Sequence, residues 1–291
     1  MGDHYPTAVN HRQGPPAEGG SVKQQLEEAV DLFEERLTVA PRAALILGSG
    51  LSEVVEALRD AVAVPFDEIP GMPSGTVSGH RHQVVAGVLG NVPVICFAGR
   101  LHHYEGYDMW RVTYPVRLAA ELGAHTLLVT NASGSLREEL LPGTFVILTD
   151  HLHLMGANPL RGDPAAGRPH SFTPTAGAYD AALRKLAAEE AAKLNLQVAE
   201  GVYVGVGGPT YETEAEVRAY RTLGGDIIGM STTPEVIMAR ALELRVLALS
   251  AVTNRAGQRY NEGHAEVLRT AREMTDGFVN WLRAVVARLE L

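Results

Sequence analysis

The stretch Gly207–Glu235, GGPTYETEAEVRAYRTLGGDIIGMSTTPE, decides the fold class. It opens on a Gly/Pro turn that sets an aromatic ring, Tyr211, beside a carboxylate, Glu212. A helix-like run follows, then a short apolar strand over Asp226–Gly229, which ends at Met230 and Ser231. Thr232 and Glu235 have capping-box spacing and Pro234 suits a first turn, so a new helix is predicted over Thr233–Leu242. Helix, strand and helix in succession are the repeating unit of an α/β sheet, whose ligands bind at the carboxyl edge of the strands. An apolar ring, an acceptor and a small hydroxyl thus share one edge. That set suits a planar, polar-edged ligand carrying an anionic group.

Outward from this stretch the same alternation recurs. Short apolar runs predict strands over Ala43–Leu47, Val62–Phe66, Gln83–Leu89, Val92–Phe97, His125–Thr130, Thr144–Thr149, Val198–Val204 and Arg245–Val252. Their lack of polar alternation predicts burial on both faces. Gly90-Asn91 reads as a hairpin turn. Helical spacing predicts a first helix opening at a Ser21/Gln24 capping box, and further helices over Leu51–Leu58, Asp108–Leu122 with a kink at Pro115, Ala176–Leu194 and Glu262–Leu289. No interior linker or repeat interrupts them. The expectation is a single domain over residues 21–291, with a predominantly parallel, helix-covered sheet, behind a flexible tail of residues 1–20 rich in Gly, Pro and polar groups.

The chain of 291 residues carries 25 Lys and Arg against 34 Asp and Glu, a net charge of −9. That balance argues against nucleic acid or an anionic membrane as the main partner. No apolar run is long enough to cross a bilayer and no signal-peptide pattern opens the chain, so a cytoplasmic location is expected. The single cysteine, Cys96, falls inside an apolar strand and reads as a buried thiol.

Polar or small residues recur where strands end: Ser49 in the turn Gly48-Ser49-Gly50, Arg100 with His102, His103 and Tyr104, Ala132 in the small-residue turn Asn131–Ser135, Glu212, Met230 with Ser231, and Asn254. Ile69–His82 is a punctuated loop ending in His80-Arg81-His82. Arginine grips phosphate as a bidentate fork, and histidine adds a donor. The pairs His80/His82, His102/His103 and His151/His153 also raise a zinc site, but no HExxH or cysteine spacing accompanies them, and no metal is expected.

Taken in order, LGSGL (Leu47–Leu51), VSGH (Val77–His80), GRLHHYEGY (Gly99–Tyr107), TNASGS (Thr130–Ser135), GPTYET (Gly208–Thr213), GMSTTPE (Gly229–Glu235) and Thr253-Asn254 closely resemble the trimeric, low-molecular-mass purine nucleoside phosphorylases. The resemblance covers about residues 25 to 285. It implies the nucleoside phosphorylase type I fold, one α/β domain around a central mixed, partly barrel-like β-sheet flanked by helices, assembling as a homotrimer and serving purine salvage. It implies phosphate held by Ser49, His80, Arg100, His102, Ser231 and the Ala132 backbone. Ribose would lie against Tyr104 and Met230, with His264 reaching its 5′-hydroxyl. The base would stack near Tyr211 and bond to Glu212 and Asn254. Glu212, Asn254 and His102 would carry the catalysis, with inorganic phosphate as co-substrate and no organic cofactor implied.

An ionised Glu212 only accepts hydrogen bonds. It matches the N1–H of a 6-oxopurine and repels the bare N1 of adenine, so inosine, guanosine and their 2′-deoxy forms are expected over adenosine. The related methylthioadenosine phosphorylases carry carboxylates where Asn254 stands and lack the aromatic–Glu pair. TNASGS departs from a frequent TNAAGG, and the loop around Gly156-Ala157 has no aromatic residue before Phe172, which leaves open what a neighbouring subunit adds to the ribose site. A hydrolytic nucleosidase and a non-catalytic purine-binding protein remain the alternatives. The first needs a water site and a general base; the second has no use for the anion set around Arg100.

Overall fold

The computed structural model describes residues 21–48, 51–74, 81–162, 172–258 and 264–289, with the side chains of 264–266 excepted. Ser49, His80 and the tail of residues 1–20 lie outside the described residues, as does the side chain of His264.

Among the described residues, nine strands form one sheet: β1 (Ala43–Ile46), β2 (Arg59–Pro65), β3 (Gln83–Leu89), β4 (Val92–Ala98), β5 (Thr126–Ser135), β6 (Phe145–Leu154), β7 (Val198–Val206), β8 (Ile227–Gly229) and β9 (Arg245–Arg255). Their order is β2-β3-β4-β1-β5-β8-β7-β6-β9, and β9 also pairs with β5, so the last five strands close into a barrel. β1 runs parallel to β4 and β5, β5 to β9, and β7 to both β6 and β8. The β2/β3, β3/β4, β5/β8 and β6/β9 pairs are antiparallel. The sheet is therefore mixed and partly barrel-like, as the resemblance implied. The predominantly parallel pattern read from strand–helix alternation is corrected by the β2–β4 hairpins and by barrel closure.

The apolar strands are buried on both faces because each face has its own cover. Ala44 and Ile46 of β1 join an apolar layer with helix α1 (Val22–Glu34), while Ala43 and Leu45 join a second layer with helix α8 (Thr275–Ala287). The other helices are α2 (Met109–Val112), α3 (Tyr114–Glu121), α4 (Ala181–Lys193), α5 (Glu214–Thr222), α6 (Thr233–Ala241) and α7 (His264–Glu273).

Several predicted boundaries move for local reasons. Leu51–Leu58 is a 3₁₀ turn over Ser52–Ala57, matching the i, i+3 spacing of Leu51/Val54 and Val55/Leu58. The helix over Asp108–Leu122 breaks at Thr113, whose hydroxyl bonds back to Met109 O at 2.9 Å just before Pro115. The long C-terminal helix likewise divides at Met274. α4 starts five residues later than the periodicity suggests, because Asp180 caps it, accepting from Leu183 N at 2.9 Å. Ser21 caps α1 through Gln24 N, but the Gln24 side chain turns to Glu28, so only half of that capping box forms. Asn131–Ser135 is not a turn. It continues β5 in register with β9, with a bulge between Ser133 and Gly134.

Candidate active site

A cleft of about 680 Å³, part of it open to solvent, lies where β5, β8 and β9 meet the loop after β4. Arg100, His102, Tyr104, Ala132, Tyr211, Glu212, Met230, Ser231 and Asn254 all line it. Residues scattered over more than 150 positions thus converge because the barrel gathers its strand ends. Val267, in the first turn of α7, lines the cleft too, while the His264 side chain lies outside the described residues.

One end of the cleft gathers Arg100, His102 and Ser231. Arg100 is only 2% exposed and its Nε lies 3.1 Å from Glu235 Oε1, itself 1% exposed. A buried guanidinium needs such a counter-charge. The contact is an ion pair without hydrogen-bond alignment: Nε, Nη2 and Glu235 Oε2 are buried without hydrogen-bond partners. Nη1 donates to Ser231 Oγ at 3.0 Å. His102 stacks on Tyr104 with ring centroids 4.7 Å apart, and its Nδ1 lies 3.0 Å from Glu105 Oε1. Burial lowers the His102 pKa despite that carboxylate, so the ring is neutral at pH 7 and Glu105 fixes its tautomer as Nδ1–H.

Ser231 stands at the start of a tight turn. Thr232 has φ 65° and ψ −52°, and Thr233 N donates to Ser231 O at 2.7 Å, which makes residues 231–233 a positive-φ γ-turn. Such a conformation costs about 1–3 kcal/mol for a non-glycine residue. The predicted Thr232/Glu235 capping box is absent: Glu235 is drawn to Arg100, and Thr232 Oγ1 accepts from Asn131 Nδ2 at 2.9 Å. A full capping box forms instead between Thr213 and Glu216, at the start of α5, and anchors the segment just after Glu212.

At the other end sit the aromatic and amide groups. Gly208, at φ +61°, lets the backbone press against Met230 and Tyr104: a Cβ there would lie 2.3 Å from Met230 Sδ and 3.3 Å from Tyr104 Cδ1. That approach seats the loop carrying Tyr211 and Glu212. Tyr211 forms the lip, 39% exposed. Burial raises the Glu212 pKa, and Glu216 adds to the shift. Asn254 is 8% exposed and takes the Thr253 hydroxyl on Oδ1 at 2.8 Å, while its Nδ2 packs over Gly134.

His103, His151 and His153 are engaged by the protein. His151 bonds Tyr179 and is lowered to about 4 by burial; His153 bonds Thr233 and Ala157 O; His103 bonds Tyr107 O. Among the described residues, no group of three or more His, Cys, Asp or Glu is placed to hold a metal ion. Cys96 is buried, and burial raises its pKa. No described helix is long and apolar enough to cross a membrane.

Sequence reasoning did not foresee Glu235 as the Arg100 partner, nor the buried set Asn131, Thr232 and Ser250. Isolated polar residues inside apolar strands, Asn131 and Ser250, were the available signal.

Residues 42–287 match the family model of the phosphorylase superfamily. Purine nucleoside phosphorylase 1 of Bacillus subtilis (strain 168) is 41% identical over 271 residues, covering 92% of this chain and 100% of its own length. The crystal structure of Schistosoma mansoni purine nucleoside phosphorylase in complex with inosine superposes with a TM-score of 0.87 at 32% identity, covering 94% of this chain and 100% of that one. The same enzyme in complex with adenosine gives 0.86 at 33% identity, with the same coverage.

Proposed function

From the premise that the chain belongs to the phosphorylase superfamily, among its purine nucleoside phosphorylases, we propose that it cleaves inosine, guanosine and their 2′-deoxy forms in preference to adenosine. The activity is reversible phosphorolysis of a purine nucleoside to free base and (deoxy)ribose 1-phosphate. The observation that carries the 6-oxopurine preference is Glu212, a cleft-lining carboxylate with no ion pair among the described residues. An ionised carboxylate left beside a ligand selects one that brings N–H groups to it.

The chemistry needs no nucleophile from the enzyme. Phosphate attacks C1′ from the face opposite the base, through an oxocarbenium-like sugar, with inversion. The protein has to hold the dianion and stabilise the departing purine. Arg100 and Ser231, with Ser49, His80, His102 and the Ala132 backbone, hold the phosphate. Neutral His102 keeps its one N–H on Glu105, so its Nε2 is an acceptor, suited to the hydroxyl of a phosphate dianion. Tyr104 and Met230 flank the ribose, and His264 reaches its 5′-hydroxyl. Asn254 hydrogen-bonds N7 and O6 as negative charge builds on the base. The reading needs no metal or organic cofactor, and extends to a cytoplasmic homotrimer in purine salvage.

Inosine incubated with and without phosphate tests the reaction. Hypoxanthine and ribose 1-phosphate should appear only with phosphate. Equal base release without it would mean hydrolysis, and adenosine turned over as fast as inosine would refute the base assignment.

A further inference from the structure

We propose that Asn131 and Thr232 are positioning residues that fix the Ser231 hydroxyl as a hydrogen-bond donor to bound phosphate. The proposal rests on the reading of Ser231 as a phosphate ligand, and deepens it.

The argument is one of hydrogen-bond polarity. Asn131 is buried in β5, where its Oδ1 accepts from Ser250 Oγ at 2.6 Å, and Ser250 Oγ lies 2.7 Å from Ser133 Oγ. This anchors the amide with Nδ2 directed at Thr232 Oγ1, 2.9 Å away. An amide nitrogen only donates, so Thr232 Oγ1 accepts on that side. Ser231 Oγ lies 3.2 Å from Thr232 Oγ1, a contact across which either hydroxyl could donate, and we assign the proton to Thr232, which Asn131 leaves with its own proton uncommitted. Arg100 Nη1 donates to the same Ser231 oxygen at 3.0 Å. A hydroxyl has two lone pairs and one proton, so two incoming donors leave Ser231 with only its proton to offer. Two acceptors are open to that proton, a ligand in the cleft and Tyr203 Oη, which already accepts the Ser231 backbone N–H at 3.3 Å and lies beside the hydroxyl. A phosphate oxygen, being charged, is the stronger of the two.

The backbone points the same way. Residue 232 occupies a γ-turn at φ 65°, a conformation that glycine adopts freely and threonine resists. Threonine there supplies what glycine lacks, a hydroxyl that accepts from Asn131 and donates to Ser231. The strained turn also places that hydroxyl between the buried amide and the cleft.

The test measures KM for phosphate and for inosine separately in four variants, with melting temperatures in phosphate-free buffer. Ser231→Ala should raise phosphate KM. Thr232→Val should raise it about tenfold, the loss of roughly one oriented hydrogen bond, with inosine KM moving less than about twofold. Thr232→Ser, which keeps the hydroxyl, should restore it. Adding Thr232→Val to Ser231→Ala should raise phosphate KM no further, because one residue acts through the other. If Thr232→Val does not fold, Thr232→Gly removes the same hydroxyl at no backbone cost. Additive effects in the double variant, or equal rises in both KM values, would overturn the proposal. If Ser231→Ala leaves phosphate KM unchanged, the assignment of Ser231 to phosphate fails. If Ser231→Ala raises it and Thr232→Val does not, only the orienting role fails.

Discussion

In the proposed reading, Glu212 gives up stability for selectivity. Burial and Glu216 raise its pKa above the ordinary carboxylate value. The folded chain therefore holds the proton more tightly than the unfolded one, and stability falls as pH rises through the gap between the two. The cost is absent below the unfolded pKa and fully present only above the raised folded one. Glu212→Gln is expected to raise the melting temperature at pH 7, with a difference that vanishes near pH 4, while the inosine-to-adenosine ratio of kcat/KM drops tenfold or more. In the unsubstituted protein the same ratio should decline as the medium is acidified toward the raised pKa. A ratio flat with pH and unchanged in the variant would remove Glu212 from base selection. Glu235 presents the reverse case. It compensates Arg100 in a setting without solvent, so Glu235→Gln leaves a buried cation and should cost about 3 kcal/mol or more. Phosphate supplies a replacement charge, and should therefore raise the variant's melting temperature more than the parent's. Equal shifts would indicate that the anion does not reach Arg100.

At the scale of elements, the β5–β9 pair does most to shape the site. The bulge after Ser133 sets Gly134 opposite Asn254, and a Cβ on Gly134 would lie 3.0 Å from Asn254 Nδ2. Gly134→Ala should displace the amide by a few tenths of an ångström and lower kcat about tenfold, with phosphate KM nearly unchanged. A matching fall in phosphate affinity would mean that the bulge shapes the anion end instead. These elements also mark how far the sequence can be read. Ala43–Ile46 and Val92–Ala98 were legible as strands because burial on both faces leaves an unbroken apolar run. Asn131–Ser135 read as a turn because small polar residues usually make one, yet here they fill a barrel strand whose cross-strand partner, Ser250, lies 119 residues away. Thr232 and Glu235 met the local rule for a capping box, but a buried guanidinium from residue 100 outbid a surface-type cap for the carboxylate. Local pattern could identify which residues line the cleft. It could not show which of them pair behind it.

The molecule as a whole faces a problem of water. An oxocarbenium-like sugar reacts with any nucleophile present, and phosphorolysis succeeds only where phosphate is held and water is kept out. A single chain leaves the cleft partly open, with Tyr211 39% exposed at its lip. Other apolar surface is uncovered as well, with Phe172 fully exposed and Leu154, at the end of β6, 44% exposed. We propose that a neighbouring subunit of the homotrimer implied by the resemblance supplies the missing wall. Light scattering coupled to gel filtration should then give three times the chain mass of 31.2 kDa. Dilution below the assembly's dissociation constant should lower the phosphorolysis rate per chain and raise the fraction of inosine lost to hydrolysis. A particle of one chain mass with undiminished, strictly phosphate-dependent activity would show that each subunit excludes water by itself, and that the exposed apolar residues serve no such closure.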